Sequence, residues 1–155
     1  MDEQTNHLIL PSGSKIWKPF HLGENCEVAA EVNIGALCHI GNDVKIGEGT
    51  RVQGSTYIAD GCVIGKDCFI GPNVTITNDR HPPSKGKWAP VQIEDNVVIG
   101  GGATLIAGIT LSSGCIIGAG AVLTKSVASD EVWFGNPATL KMNSCRVYTS
   151  DAADE

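Results

Sequence analysis

The chain has 155 residues and a mass of 16.2 kDa, a size that suits one domain. Hydrophobic residues make up 42%, which argues against disorder, while 5% aromatics and 19 glycines disfavour a core of large side chains. A net charge of -6 without a basic cluster argues against a nucleic-acid partner, and no apolar run approaches the roughly 18 residues of a membrane span. The first residues, Met1 to Asn6, have neither the basic flank nor the apolar segment of a signal peptide, so the expected location is cytoplasmic. Disulfides are then disfavoured, and the six cysteines need another explanation.

Residues 1–15 read as a leader. From Ile16 a period of six begins: Ile16, Leu22, Val28, Ile34, Ile40, Ile46, Val52, Ile58, Ile64, Ile70 and Ile76. It resumes at Ile93, Ile99, Leu105, Leu111, Ile117 and Leu123. All seventeen positions are Ile, Leu or Val, although these types fill only 36 of the 155 positions. Two residues before each, Phe20 before Leu22 apart, lies a small or medium residue, and a spacing of two puts both on one side of an extended strand. Glycine follows at 23, 35, 41, 47, 65, 71, 100 and 118. Each hexad thus reads as a short strand with two inward side chains and a Gly-rich turn. A period of six cannot hold one face of an α-helix. Three hexads close a triangular coil, and coils stack at the strand spacing of about 4.8 Å. The glycines are expected to serve turns with unusual backbone angles.

Five cysteines fall in the small inward register: Cys26, Cys38, Cys62, Cys68 and Cys115. They read as small hydrophobic fillers. There is no C-x-x-C pair, so a zinc ribbon or redox motif is not supported, and no metal site is expected. Cys145 lies outside the repeat.

Between Ile76 and Ile93 the step is 17 residues instead of six, an insertion of eleven, assigned to a loop over 77–92. Pro82, Pro83, Pro90 and Gly86 keep it out of the sheet. Loops on rigid scaffolds carry function, and this one places Asn78, Asp79, Arg80 and His81 in succession. Imidazole exchanges protons near neutral pH, so His81 is a candidate general base; an exposed or capped loop histidine is the alternative. Asp79 either orients His81 or binds loop backbone. His7 lies in the leader, and His21 and His39 precede inward aliphatics and should point outward. Residues 128–155 read as a C-terminal cap, with Trp133 and Phe134 covering the last coil or meeting a neighbour, and a mobile acidic tail.

The hexad pattern over residues 16 to about 140 resembles the hexapeptide-repeat acyltransferases. The stretches Asn96–Leu105, Ile117–Val127 and Gly135–Ala138 resemble their later coils and the turn that closes the coenzyme A site. Lys15–Ile16–Trp17 and Thr77–Asn78–Asp79 look like the nucleotide-linked 3-amino-sugar N-acetyltransferases. The resemblance implies an all-β, left-handed parallel β-helix over 16–127 with one protruding loop, an exception in hand to the usual crossover rule. It implies direct acetyl transfer from acetyl-CoA to the amine of a UDP- or dTDP-linked 3-amino sugar, in a homotrimer whose loop reaches a neighbour's coenzyme groove. His81 is then the base, Asn78 holds the acceptor amine or a sugar hydroxyl, Trp17 binds substrate, and Arg80 binds a substrate phosphate or pairs with Asp79. His81 departs from relatives that use no protein base. Gly101 and Gly102 offer backbone donors to the oxyanion, or form a tight corner. Ala103, Ala119, Ala121, Lys125 and Pro137 match the coenzyme groove, although Ala103 and Ala121 also fit the inward register. Alternatives are an O-acetyltransferase of a simple sugar or serine, a γ-type carbonic anhydrase, which needs three histidine ligands, and a non-catalytic β-helix scaffold.

Overall fold

The structure is a computed structural model that describes residues 5–143. The strands come in chain order as β1 (His7–Ile9), β2 (Lys15–Trp17), β3 (His21–Leu22), β4 (Glu27–Val28), β5 (Asn33–Ile34), β6 (His39–Ile40) and β7 (Lys45–Ile46). They continue as β8 (Arg51–Val52), β9 (Tyr57–Ile58), β10 (Val63–Ile64), β11 (Phe69–Ile70), β12 (Thr75–Ile76) and β13 (Gln92–Ile93). The last are β14 (Val98–Ile99), β15 (Thr104–Leu105), β16 (Thr110–Leu111), β17 (Ile116–Ile117), β18 (Val122–Leu123), β19 (Glu131–Gly135) and β20 (Ala138–Asn143).

Every third strand joins the same sheet, so the chain is a parallel β-helix with three faces, consistent with the left-handed winding that the resemblance implies. The first face runs β1-β2-β5-β8-β11-β14-β17-β19-β20, the second β3 to β18, the third β4 to β16. All pairings are parallel except the hairpins β1/β2 and β19/β20, which close the two ends of the first face. The period-six aliphatics fill the axis: Ile16, Ile34, Ile40, Ile58, Ile70, Ile76, Ile99, Leu105, Leu111 and Leu123 are fully buried. Their neighbours two residues earlier are buried with them, among them Cys38, Cys62, Cys68 and Cys115. Cys26, in the lowest coil, is only half-buried.

The glycines that follow the aliphatics are explained by contact rather than by backbone angle. A Cβ at Gly35 would lie 2.5 Å from the amide nitrogen of Gly54, and one at Gly47 would lie 2.5 Å from the carbonyl carbon of Gly65. Neither has a positive φ, so the turn explanation fails there and the stacking of the next coil replaces it. The left-handed corner positions lie elsewhere and are shared between Gly and residues such as Asn25, Asp43, Asp67, Asn73 and Asn96. Asn and Asp tolerate that region because their short side chains bond locally.

The small inward position also has a hydrogen-bonding task. Ser14 Oγ, Cys26 Sγ, Cys38 Sγ, Thr50 Oγ1 and Thr56 Oγ1 each donate to a carbonyl 15 residues on, at Ala29, Gly41, Gln53, Gly65 and Gly71. Cys, Ser and Thr alternate in this register because all three are small and carry a donor.

After β18 the repeat shortens. Val127 bridges to Leu111, and Trp133 pairs with Ile117 only 16 residues later. Trp133 is half-buried against the core and caps its upper end, while Phe134 stays 43% exposed. The tail and Cys145 lie outside the described residues.

Candidate functional site

The chain leaves the helix after Ile76 and rejoins it at Gln92, along the edge between the second and third faces. That edge fixes the root of the loop. Thr77 continues the ladder, donating through N–H and Oγ1 to Leu105 O at 3.2 and 2.9 Å. Asn78 Nδ2 donates to Asp60 O at 3.1 Å in the coil below, and Ala89 N donates to Asn78 O at 2.7 Å, closing the loop neck. Asn78 thereby continues a column in which Glu24 N bonds Asn42 Oδ1 and Asn42 N bonds Asp60 Oδ1. With Nδ2 engaged, the side-chain oxygen Oδ1 is the atom through which the Asn78 amide can accept a hydrogen bond.

Asp79 serves the loop backbone. Its two carboxylate oxygens accept from His81 N at 3.3 Å and Ser84 N at 2.9 Å. The tautomer-fixing contact with the His81 ring is not among the hydrogen bonds of the described residues. The reason is local: an Asp beginning a turn is closest to the amides two to five residues on. His81 is exposed, and Arg80 donates through Nη1 to Ala107 O at 2.9 Å one coil above the loop root. Lys125 lies in register above Ala107 and is exposed, so it shares this edge. Trp88 at 56% and Lys85 and Lys87 are exposed on the loop.

The residues matched to the coenzyme groove divide. Ala103 and Ala121 are fully buried, because the small register points to the axis, and they cannot line a surface groove. Gly102, Ala119, Gly120 and Pro137 are exposed on the other edge, between the first and second faces. Gly102 has φ +73, a conformation that favours glycine, and a Cβ at Gly120 would meet nothing within 4 Å, so this edge has room for an extended ligand. The Gly102 amide is already bound to Pro72 O at 2.8 Å, which removes it as an oxyanion donor; Gly101 keeps its place on the edge. Trp17 sits in the lowest coil on the first face, where Nε1 donates to Asn33 Oδ1 at 3.0 Å and the ring meets His7. Nothing brings it to the loop.

The two clusters are therefore separated by the second face. Gly102 and Ala107 are five residues apart along one strand, on the order of 15 Å. Two features were missed by sequence reasoning: Asp60, whose carbonyl fixes Asn78, and the stacked rings of His21, His39 and Tyr57 on the second face. The signal for Asp60 was the 18-residue spacing of positions 42, 60 and 78. A cavity of about 670 Å³ lies at the lower end, lined by Leu10, Leu22, Cys26, Val28, Ile46 and Ile64. None of the loop residues lines it. Among the described residues no group of three or more His, Cys, Asp or Glu could hold a metal ion.

Two family descriptions match the chain: "Bacterial transferase hexapeptide (six repeats)" over residues 43–78 and "Hexapeptide repeat of succinyl-transferase" over 90–125. A galactoside O-acetyltransferase of Lactococcus lactis is 36% identical over 84 residues, 50% of this chain and 41% of that protein. A hexapeptide-repeat-containing acetyltransferase of Vibrio cholerae, solved with acetyl coenzyme A, is 26% identical with a TM-score of 0.61, covering 79% of this chain and 70% of that one. A mutant perosamine N-acetyltransferase of Caulobacter crescentus, solved with CoA and GDP-perosamine, is 26% identical with a TM-score of 0.55, covering 87% and 56%. The chain spans less than half the length of the curated relatives it matches.

Proposed function

We propose that this hexapeptide-repeat chain is an acetyltransferase that moves the acetyl group of acetyl-CoA directly to the amine of a nucleotide-linked amino sugar. The observation that carries the reading is the loop root, where a hydrogen bond to Asp60 holds Asn78 with its carbonyl oxygen as the acceptor. The likeness to a sugar N-acetyltransferase solved with CoA and a nucleotide-linked sugar supports the same substrate class. Within that class a UDP- or dTDP-linked 3-amino sugar is the specific proposal. The amine nitrogen attacks the thioester carbonyl carbon; the C–N bond forms, the C–S bond breaks, and the coenzyme thiolate leaves. Asn78 orients the amine, and His81, exposed on the loop, takes the proton it loses. The extended arm of the coenzyme fits the small-residue edge at Gly102, Ala119, Gly120 and Pro137. Gly101 supplies backbone to the thioester oxygen.

One copy does not complete this site, because the loop edge and the small-residue edge flank opposite sides of the second face. A second copy that sets its loop edge against the small-residue edge of the first would complete it, and a homotrimer does so around a closed ring. The first face supports self-association: Phe69, Val98 and Ile116 form one cross-strand row, with Phe69 and Val98 each 39% exposed.

Thiol release from acetyl-CoA tests the reading, with UDP-, dTDP- and GDP-linked amino sugars, free amino sugars, galactosides and serine as acceptors. Turnover confined to nucleotide-linked amines is expected, and silence with every amine would overturn it. The O-acetyltransferase reading is favoured by the Lactococcus likeness. It predicts turnover of galactoside or serine and complete loss in His81→Ala, since a hydroxyl needs the base more than an amine does.

A further inference from the structure

The second face carries a column of rings that acetyl transfer does not use. One outward residue per coil gives, from the lower end, His21, His39, Tyr57, Thr75, Thr104 and Val122. The first two stack with ring centroids 4.5 Å apart and planes 14° apart; His39 and Tyr57 follow at 4.8 Å and 12°. The spacing is that of the coils, so each ring lies flat on the one below. The column then stops. The next residue is Thr75, and among the described residues no ring stacks on the other side of Tyr57, which is 44% exposed. The step from Tyr57 to Thr75 is therefore a step from a ring to a small side chain, with Tyr57 as the last ring of the column.

The loop stands beside that step. Tyr57 is three residues from Asp60, about 10 Å along the strand, and Asp60 holds the loop root through Asn78. On a chain of net charge -6 the loop concentrates Arg80, Lys85 and Lys87, all exposed, while its one carboxylate, Asp79, is engaged with backbone amides. A flat aromatic surface on the face that leads to a loop with three cations matches a planar base joined through a ribose to phosphates.

We propose that Tyr57 is the stacking platform for the base of a nucleoside diphosphate, with Arg80, Lys85 and Lys87 holding the diphosphate. This deepens the substrate reading above and rests on it for the place of the sugar at Asn78. Two sources share the chemistry: the nucleotide of the acceptor and the adenosine-diphosphate end of the coenzyme.

The test is calorimetric titration of the wild type, Tyr57→Phe, Tyr57→Ala and the pair Lys85→Ala with Lys87→Ala. The titrants are UDP, dTDP, GDP, CoA and inorganic pyrophosphate, without acetyl donor. Tyr57→Phe should bind as the wild type does. Tyr57→Ala should weaken a base-bearing ligand by about ten-fold or more and leave pyrophosphate unchanged. The lysine pair should weaken both. Loss confined to CoA would assign the platform to the coenzyme, and loss confined to the free nucleotides would assign it to the acceptor. No binding of any base-bearing ligand to the wild type, or equal binding by Tyr57→Ala, would overturn the proposal. A change of assembly mass by sedimentation in Tyr57→Ala but not in Tyr57→Phe would make the column an interface and overturn it as well. Because binding is read without transfer, an absence of thiol release leaves these outcomes distinct.

Discussion

Cys62 and Cys115 show what one buried register position does to chemistry. Burial pushes the Cys62 thiol up to about 11. It pushes Cys115 up to about 12, with Cys68 adding to the rise. Cys26, Cys38 and Cys68 move in the same direction for the same first reason, burial. Both thiols therefore stay protonated in the fold at a pH where an unfolded cysteine ionises. From about pH 9 to about pH 11 the folded chain binds more protons than the unfolded one, so this stability is full below about pH 9 and is lost as pH rises through the window. Urea midpoints should fall from about pH 9 to about pH 11, and Cys62→Val should flatten the fall, since Val44 and Val74 fill the same register elsewhere. An identical slope in the variant would contradict the assignment. At the same scale, Leu37 is 63% exposed with φ +65, an apolar side chain at a corner that Asn or Gly would fit with less strain.

At the scale of the element, the loop is a segment held at its neck by Asn78 and internally by Asp79. Asp79→Ala removes two acceptors from the backbone and touches no strand, so thermal stability should hardly move. Turnover with the best acceptor should fall about 10- to 100-fold as the loop groups lose their positions. Unchanged turnover would show that the loop geometry is irrelevant to transfer. The contrast between loop and coils also explains what was legible in the sequence. The period of six set every inward aliphatic, because each must reach one narrow axis. The insertion announced itself as an interruption of that period. What escaped was contact between coils: the reason for Gly35 and Gly47, the donors of the small register, and the carbonyl of Asp60. Each depends on atoms 15 to 19 residues away, and a residue-by-residue reading carries no trace of which atom faces which. Ala103 and Ala121 fitted both the family groove and the inward register, and burial puts them on the axis; of the two roles open to Gly102, oxyanion donor or tight corner, its bond to the coil below leaves the corner.

At the scale of the whole molecule, the prism separates the loop edge from the small-residue edge by the width of one face. The loop edge holds Asn78, Arg80, His81 and Lys125; the small-residue edge holds Gly102, Ala119, Gly120 and Pro137. In the proposed function acetyl transfer occurs where the loop edge of one copy meets the small-residue edge of another. Complementation tests it most directly. His81→Ala damages the loop edge, and Ala119→Trp fills the other edge, where Ala119 is exposed and is not among the left-handed positions. The two variants, each impaired alone, are unfolded together, refolded as a mixture and assayed for thiol release. The account predicts that the mixture recovers activity above either parent, because some interfaces pair an intact loop with an intact edge. A mixture no more active than the better parent would contradict it.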